Sequence, residues 1–205
     1  MNIESQEIVR SFTIVKEMLS DRGLNITNLE SYSDVELIEL MNINAKIGNI
    51  FQVKVNANMK VIYHMKTKFM KQELKKFLTS LDDDEDLKHI LFIFKEKINN
   101  NNDKNIQDLL DDPKYTTRLT YEVFPIHNLL FNISKHSFVP KHEILSSEEA
   151  LDIQKRYAIK NKSQFPIISK TDPVARYYDI KAGQLVKITR ASTATGENIT
   201  YRYCV

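Results

Sequence analysis

Two acid-x-lysine triplets in this chain have the spacing found in Mg²⁺-dependent nucleases, at residues 73–75 (Glu-Leu-Lys) and 112–114 (Asp-Pro-Lys). Such enzymes hold the metal with carboxylates on adjacent strands. Residues 73–75 fall in a helical pattern, and no aspartate lies between Asp34 and Asp82 to act with them. In the second triplet, Pro113 removes a backbone donor that a central strand needs. The sequence therefore argues against nuclease activity.

The histidines, glycines and single cysteine form no metal, cofactor or redox motif. His136 and His142 lie six residues apart with no further ligand assigned, so a structural role is favoured over metal binding. Four scattered glycines make no phosphate-binding loop. Cys204 has no second thiol to pair with, which favours a reducing compartment. We therefore expect no metal, no cofactor and no small-molecule substrate.

Nucleic-acid contact is a stronger hypothesis. Residues 54–76 contain seven lysines and one acid, Glu73. Exposed lysines attract phosphates without reading base sequence. The alternative, given equal weight, is a solvated helix face balanced by the acidic run at 82–86. The residues assigned to possible DNA contact are Lys66, Lys68, Lys71 and Lys75.

The charges divide unevenly along the 205 residues, whose net charge is only +2. Residues 153–205 carry 10 Lys and Arg against 3 Asp and Glu, and the remaining 152 residues carry 19 against 24. A basic end on a mildly acidic body suits nucleic acid or an acidic protein surface, and a solvated face explains it equally well. No signal peptide or membrane-spanning run is evident, so we expect a soluble intracellular protein without membrane contact.

The elements that position these residues alternate between helix and strand. Helical spacing predicts amphipathic helices over 5–23 and 67–81, and a capping box at Ser33 and Glu36 begins another helix. Period-two alternation predicts a hairpin over 51–65, and further strands are predicted at 89–95 and 118–124, separated by a surface loop at 99–105. This order predicts an α/β domain ending near residue 134.

The remainder is predicted to form a second, smaller α/β unit. Ser146 or Ser147 caps a helix, and Asp172 followed by Pro173 begins a short one. A turn at Gly183 separates that helix from two strands, 185–189 and 198–205, which pair antiparallel.

This last part closely resembles a known family. The chain carries, in order, His-x-x-Val-Pro-x-His at 136–142, Asp-Pro-Val-Ala-Arg-Tyr at 172–177, Gly-Gln-x-Val-Lys-Ile at 183–188 and Tyr-Arg at 201–202. These motifs resemble the small jaw subunit shared by eukaryotic nuclear RNA polymerases, a family that also includes an archaeal counterpart. Departures occur at Ser137 and Phe138, at Tyr178 and Asp179, and in the loop before Gly196.

The resemblance implies two domains, both α/β. Residues 1–134 are expected to form a jaw domain with a nuclease-like fold but no active site, and residues 135–205 a small assembly domain. The chain is then not an enzyme itself. It is expected to dock on the largest polymerase subunit and to contact other subunits, with its jaw near downstream duplex DNA. The Asn and Lys bias and the short length favour the version of a large cytoplasmic DNA virus, found in host cytoplasm and virion; a cellular version is expected to be nuclear.

The interface is expected on the assembly domain. Val174 and Tyr177 are expected to supply apolar packing, and basic residues to meet carboxylates or carbonyls of the partner. For Val174, Ile188 and Tyr201 a role in the core is favoured over the interface. For Arg176 an internal ion pair and the interface are equally compatible with the sequence. The full interface set is Asp172, Pro173, Val174, Arg176, Tyr177, Lys187, Arg190 and Arg202.

Two other functions are also compatible with the sequence. One is a free-standing DNA-processing enzyme on the nuclease-like fold, and the other is a transcriptional adapter that acts away from polymerase.

Overall fold

The computed structural model describes residues 3–45, 50–65, 71–80, 86–95, 119–192 and 196–205. The chain forms two compact units, Met1–Phe131 and Asn132–Val205, and each contains a four-stranded sheet. The predicted mixed α/β class is confirmed. The assignment of a jaw domain to 1–134 and an assembly domain to 135–205 stays a prediction. Among the described residues, no helix has the length and apolar character to cross a membrane.

The first unit places its helices around a mixed sheet. Its elements are α1 (Ile3–Asp21), α2 (Thr27–Glu30), α3 (Asp34–Ala45), β1 (Ile50–Asn56), β2 (Met59–His64), α4 (Lys71–Ser80), β3 (His89–Phe94) and β4 (Thr120–Pro125). β1 and β2 form the predicted antiparallel hairpin, whereas β3 runs parallel to both of its neighbours, β2 and β4. The predicted loop at 99–105 lies outside the described residues.

The buried positions explain why these elements form. Ile8, Phe12, Val15 and Leu19 recur at helical spacing and are fully or almost fully buried, which confirms the predicted first helix. Residues 90–94 of β3 are all buried, as expected of a central parallel strand covered on both faces.

Local hydrogen bonds fix the beginning of α3. The Glu36 backbone N–H donates to Ser33 Oγ, and Glu36 Oε2 accepts from the Ser33 backbone N–H at 2.7 Å. These reciprocal bonds confirm the predicted capping box. The single-turn helix α2 was not predicted.

The second unit builds a smaller sheet. Its elements are β5 (Lys141–Ile144), α5 (Ser147–Arg156), β6 (Ile167–Ile168), α6 (Pro173–Tyr177), β7 (Leu185–Ser192) and β8 (Gly196–Cys204). The strand order is β5-β7-β8-β6, and β7 and β8 form the predicted antiparallel pair. Ser146, not Ser147, caps α5. The core of this unit contains Ile168, Ala175, Ile180, Val186, Ile188 and Cys204.

A buried charge cluster joins three elements of the first unit. Arg22, just after α1, donates from Nη1 to Glu122 Oε1 at 2.7 Å and from Nη2 to Oε2 at 2.8 Å. His89 Nε2 lies 2.9 Å from the same Oε1. Burial, the largest influence, acts to raise the pKa of Glu122, but hydrogen bonds from His89 and Arg22 outweigh it together and hold the pKa at about 2. The folded protein therefore favours the ionised form of the Glu122 carboxyl group.

This cluster predicts a specific acid sensitivity. The pKa of Glu122 is about 2 in the folded protein, below the ordinary value of 4.5. The charged carboxylate therefore stabilises the fold fully above pH 4.5, and this stabilisation is lost as the pH falls from 4.5 towards 2. Between pH 5 and pH 2, the free energy of unfolding of the wild type is expected to drop by about 3 kcal/mol more than that of Glu122→Gln. Urea denaturation at each pH measures this difference.

The matched control is Glu39→Gln, because Glu39 is an exposed glutamate of the same unit. Its pH profile is expected to follow the wild type. Parallel profiles for wild type and Glu122→Gln contradict the account.

Candidate functional site

The short helix α6 is held in place at its first turn by Asp172. The Asp172 Oδ1 atom accepts from the Val174 N–H at 2.8 Å and from the Ala175 N–H at 3.4 Å. Pro173 occupies the first helical turn, where no backbone donor is needed. The predicted helix start is therefore confirmed.

The turn after α6 contains one of the departures from the family pattern. Asp179 has φ of +52°, in the left-handed region that glycine adopts most readily. Aspartate tolerates this region better than most residues. Asp179 also accepts from Lys181 Nζ at 2.6 Å, which helps to fix the turn. An aspartate can therefore occupy this position of the turn.

Two predicted interface residues on α6 are largely buried. Val174 is 9% exposed and Tyr177 is 4% exposed, and the Tyr177 ring packs edge-on against Tyr178 with centroids 5.1 Å apart. This burial favours a packing role for both side chains. Their role as partner contacts stays a prediction.

The register of β7 and β8 separates the predicted basic residues. Side chains opposite each other on antiparallel strands share a face, and the face alternates along each strand. Lys187 is opposite Tyr201, whereas Arg190 and Arg202 belong to the other alternating set. We call the first set the tyrosine face (Lys187, Thr189, Ile199, Tyr201, Tyr203) and the second the helix face (Val186, Ile188, Arg190, Thr200, Arg202). The predicted cations therefore do not form one surface.

On the tyrosine face, the charge of Lys187 is balanced locally. Its Nζ lies 3.3 Å from Glu143 Oε2, and Lys141 Nζ lies 2.6 Å from Glu143 Oε1. Hydrogen bonds from Lys141 and Lys187 lower the pKa of Glu143, which keeps this carboxylate charged.

Aromatic and apolar side chains dominate the rest of this surface. The rings of Tyr157 and Tyr201 are 5.9 Å apart, and Lys162 Nζ lies 5.7 Å from the centre of the Tyr203 ring. Ile167 is 59% exposed and Tyr157 is 56% exposed. Neither Tyr157 nor Ile167 was among the predicted interface residues. The signal was the alternation in β8, which places Tyr201 and Tyr203 on one face.

The helix face has a basic edge around His142. The His142 Nδ1–H donates to the Pro140 carbonyl at 2.7 Å, which leaves Nε2 as an acceptor in the neutral ring. Burial, and then Arg190 and Arg202, lower the pKa of His142, against the opposing effects of the Pro140 hydrogen bond and Asp172. The structure therefore brings Asp172, Arg190 and Arg202 within electrostatic range of one imidazole.

Arg190 and Arg202 differ in how they are held. Arg202 Nη1 donates to the Ile167 carbonyl at 3.2 Å, and the residue is half-buried. Arg190 is exposed. Because Arg190 is more exposed than Arg202, it is the better placed of the two to reach an anionic group on another molecule.

The candidate DNA-contact lysines are described only in part. Lys75 is exposed on α4, and Lys71 begins the same helix. Lys66 and Lys68 lie outside the described residues, and so does the triplet at 112–114. Residues 73–75 lie within α4, as their helical pattern predicted.

The similarity to known proteins falls mainly in the second unit. Residues 131–204 match the family model for the RNA polymerase Rpb5 C-terminal domain. This match agrees with the resemblance found in the sequence motifs.

Relatives in three eukaryotes carry the same similarity. Over 88 residues the chain is 49% identical to the DNA-directed RNA polymerases I, II, and III subunit rpabc1 of Dictyostelium discoideum, covering 43% of this chain and 44% of that protein. It is 43% identical over 93 residues to RPABC1 of Caenorhabditis elegans, covering 45% and 42%. It is 40% identical over 84 residues to the RNA polymerases IV and V subunit 5B of Arabidopsis thaliana, covering 41% and 38%. Each alignment thus spans less than half of either protein.

The cap of α6 gives a direct test of the role of Asp172. Asp172→Ala removes the acceptor for two backbone N–H groups and is expected to lower the free energy of unfolding by about 1 kcal/mol. Asp172→Asn retains an acceptor oxygen and is expected to keep most of that stability. Urea denaturation of both variants measures the effect, and equal stability of the alanine and asparagine variants contradicts the capping role.

Proposed function

We propose that this protein is a non-catalytic subunit of a multisubunit DNA-directed RNA polymerase. The observation that carries the proposal is the match of residues 131–204 to the Rpb5 C-terminal domain, together with 49% identity to a polymerase subunit over 88 residues. The chain then acts through assembly, and the complex that it joins performs RNA synthesis.

The second unit is the part proposed to dock on the largest polymerase subunit. It offers a four-stranded sheet with aromatic side chains on one face and arginines on the edge of the other. Tyrosine and arginine are enriched among the residues that dominate binding energy at protein interfaces. Arg190 is exposed and Arg202 is half-buried, so both have surface to offer a partner's carboxylates or carbonyls.

The first unit is proposed to be the jaw, which lies along downstream DNA. Support comes from the lysines at 54–76 and from the exposure of Lys54, Lys75 and Lys76. The Asn and Lys bias favours a polymerase of a large cytoplasmic DNA virus, which acts in the host cytoplasm and is packaged in the virion. In a cellular polymerase the same subunit acts in the nucleus.

The alternative functions are separable from this proposal. A DNA-processing enzyme predicts cleavage of DNA by the purified protein with Mg²⁺, lost on changing Glu73 or Asp112. A free-standing adapter predicts that affinity purification from the source cells yields no stoichiometric catalytic polymerase subunits. If the chain is a polymerase subunit, the purified protein does not cleave DNA, and affinity purification yields stoichiometric catalytic polymerase subunits.

The docking proposal predicts that Arg190→Ala weakens incorporation into polymerase. Loss of an interface arginine is expected to cost about 1–3 kcal/mol of binding free energy. The measurement is competition between tagged wild type and variant for incorporation, with quantification in the purified polymerase. The same competition is measured for Arg176→Ala, which changes a half-buried residue of α6 and is expected to weaken incorporation in the same way.

Lys160→Ala is the matched control, since Lys160 is an exposed cation of the same unit. It is expected to compete as well as the wild type. Unchanged incorporation of the Arg190 or Arg176 variant, with a lowered melting temperature, assigns that arginine to the fold instead.

The DNA proposal predicts a change in salt dependence. Replacing Lys66, Lys68, Lys71 and Lys75 with Gln removes up to four phosphate contacts. The log–log slope of DNA affinity of the assembled polymerase against salt is then expected to become shallower by about 0.9 for each lost contact. Filter binding over a range of salt concentrations measures the slope, and an unaltered slope leaves these lysines as solvated surface.

A further inference from the structure

Strand β8 is much longer than the strand beside it on its outer edge. β8 runs from Gly196 to Cys204, and β7 pairs with it along its other edge from Gly196 to Tyr203. β6 is two residues long and pairs only with Tyr203 and Cys204. Among the residues that the structure describes, no strand pairs with the outer edge of β8 between residues 198 and 202.

The backbone hydrogen bonds at the end of β8 show which groups face this edge. The Cys204 N–H donates to the Gln184 carbonyl at 2.9 Å, on the side of β7. The Tyr203 N–H donates to the Pro166 carbonyl at 2.8 Å, on the side of β6. Backbone groups of successive strand residues point to opposite sides. The N–H and C=O of Ile199 and Tyr201 therefore point outward, in line with those of Tyr203.

Between its two charged residues, Glu197 and Arg202, the outer edge of β8 lacks the features that usually protect an edge strand. Proteins discourage unwanted strand pairing with short edges, prolines and charged side chains. β5, at the opposite border of the sheet, has these features: it is four residues long, follows Pro140 and carries the charged pair Lys141 and Glu143. Residues 198–201 of β8 read Asn-Ile-Thr-Tyr, with no charge and no proline, and Ile199 is 45% exposed. Such an edge favours pairing with another strand.

We propose that an extended segment of another polymerase subunit adds to the outer edge of β8 and hydrogen-bonds to the backbone of Ile199 and Tyr201. This inference rests on the proposed function, and it specifies how the partner is held. The partner strand continues the sheet from the two-residue β6, so that main-chain bonds supply affinity and alternate side chains supply specificity.

The side chains beside this edge define the chemistry of the segment. Residues of the added segment that lie beside Ile199 and Tyr201 face the tyrosine face, where apolar side chains pack best. Residues of the segment that lie beside Thr200 and Arg202 face the helix face, close to Arg190, where a carboxylate is favoured. We therefore expect a segment in which apolar and acidic residues alternate. A second copy of this chain is disfavoured, because edge-to-edge pairing brings two sets of these arginines together.

Hydrogen exchange resolved to single amides tests the proposal on the unmodified full-length chain. In the free protein, the amides of Ile199 and Tyr201 are expected to exchange faster than that of Thr200, which faces β7. In the polymerase purified with its own subunits, exchange at Ile199 and Tyr201 is expected to slow by roughly 10-fold or more, as for a newly formed backbone hydrogen bond.

The outcomes separate this inference from the proposed function. A chain that enters polymerase with unchanged exchange at Ile199 and Tyr201 overturns strand addition alone. A chain that never enters polymerase overturns the proposed function and this inference with it. Slow exchange at both amides in the free protein, together with a dimeric mass, assigns the edge to a second copy and also overturns the inference.

A backbone substitution provides an independent measurement. Ile199→Pro removes the outward N–H but no bond to β7, and Ile199→Ala removes the side chain and keeps the N–H. Retention in polymerase is expected to fall by roughly 10-fold or more for the proline variant relative to the alanine variant, with similar melting temperatures. Equal retention of two folded variants contradicts main-chain docking. If the proline variant does not fold, the exchange measurement on the wild type decides.

Discussion

The antiparallel register between β7 and β8 determines what the second unit can present to another molecule. Because side chains alternate between faces, Lys187 joins Tyr201 on one face while Arg190 and Arg202 lie on the other. A shift of β8 by one residue relative to β7 turns the side chains of β8 to the opposite face, so that Cys204 leaves the core and Arg202 joins Lys187. The paired strands also fix which backbone groups of β8 point outward.

The two faces that result differ in their chemistry. On the tyrosine face, Glu143 pairs with Lys187, so aromatic and aliphatic surface prevails there. At the edge of the helix face, Arg190 and Arg202 lie near His142, whose pKa is lowered by burial and then by these two arginines. A partner that crosses the edge of the sheet thus meets apolar packing on one side and cations on the other. This combination suits a specific protein interface better than it suits sequence-independent binding of phosphates.

Local signals in the sequence were sufficient for most of the helices and longer strands. Ile8, Phe12 and Val15 identify α1 because helical periodicity depends only on residues a few positions apart. Asp172 and Pro173 identify the start of α6 for the same reason. The family motifs at 136–142 and 172–177 also identified the second unit, whose match to the Rpb5 C-terminal domain agrees with them.

Features that depend on distant pairing were not predictable. β5 and β6 are four and two residues long, and they are strands because β7 and β8 lie beside them. Arg22 and Glu122 are 100 positions apart in the sequence, so nothing local signals their ion pair. The same limit explains why the predicted interface set mixed buried residues with cations that lie on two different faces. Only the register separates Lys187 from Arg190.

Cross-linking of the assembled polymerase is the most direct test of the claim that the second unit is the docking module. A lysine-reactive cross-linker followed by mass spectrometry reports which lysines of this chain lie near other subunits. The account predicts that cross-links to the largest subunit occur at exposed lysines of the second unit, such as Lys162 and Lys170. Cross-links to the largest subunit found only at lysines of the first unit, such as Lys75 and Lys88, contradict it.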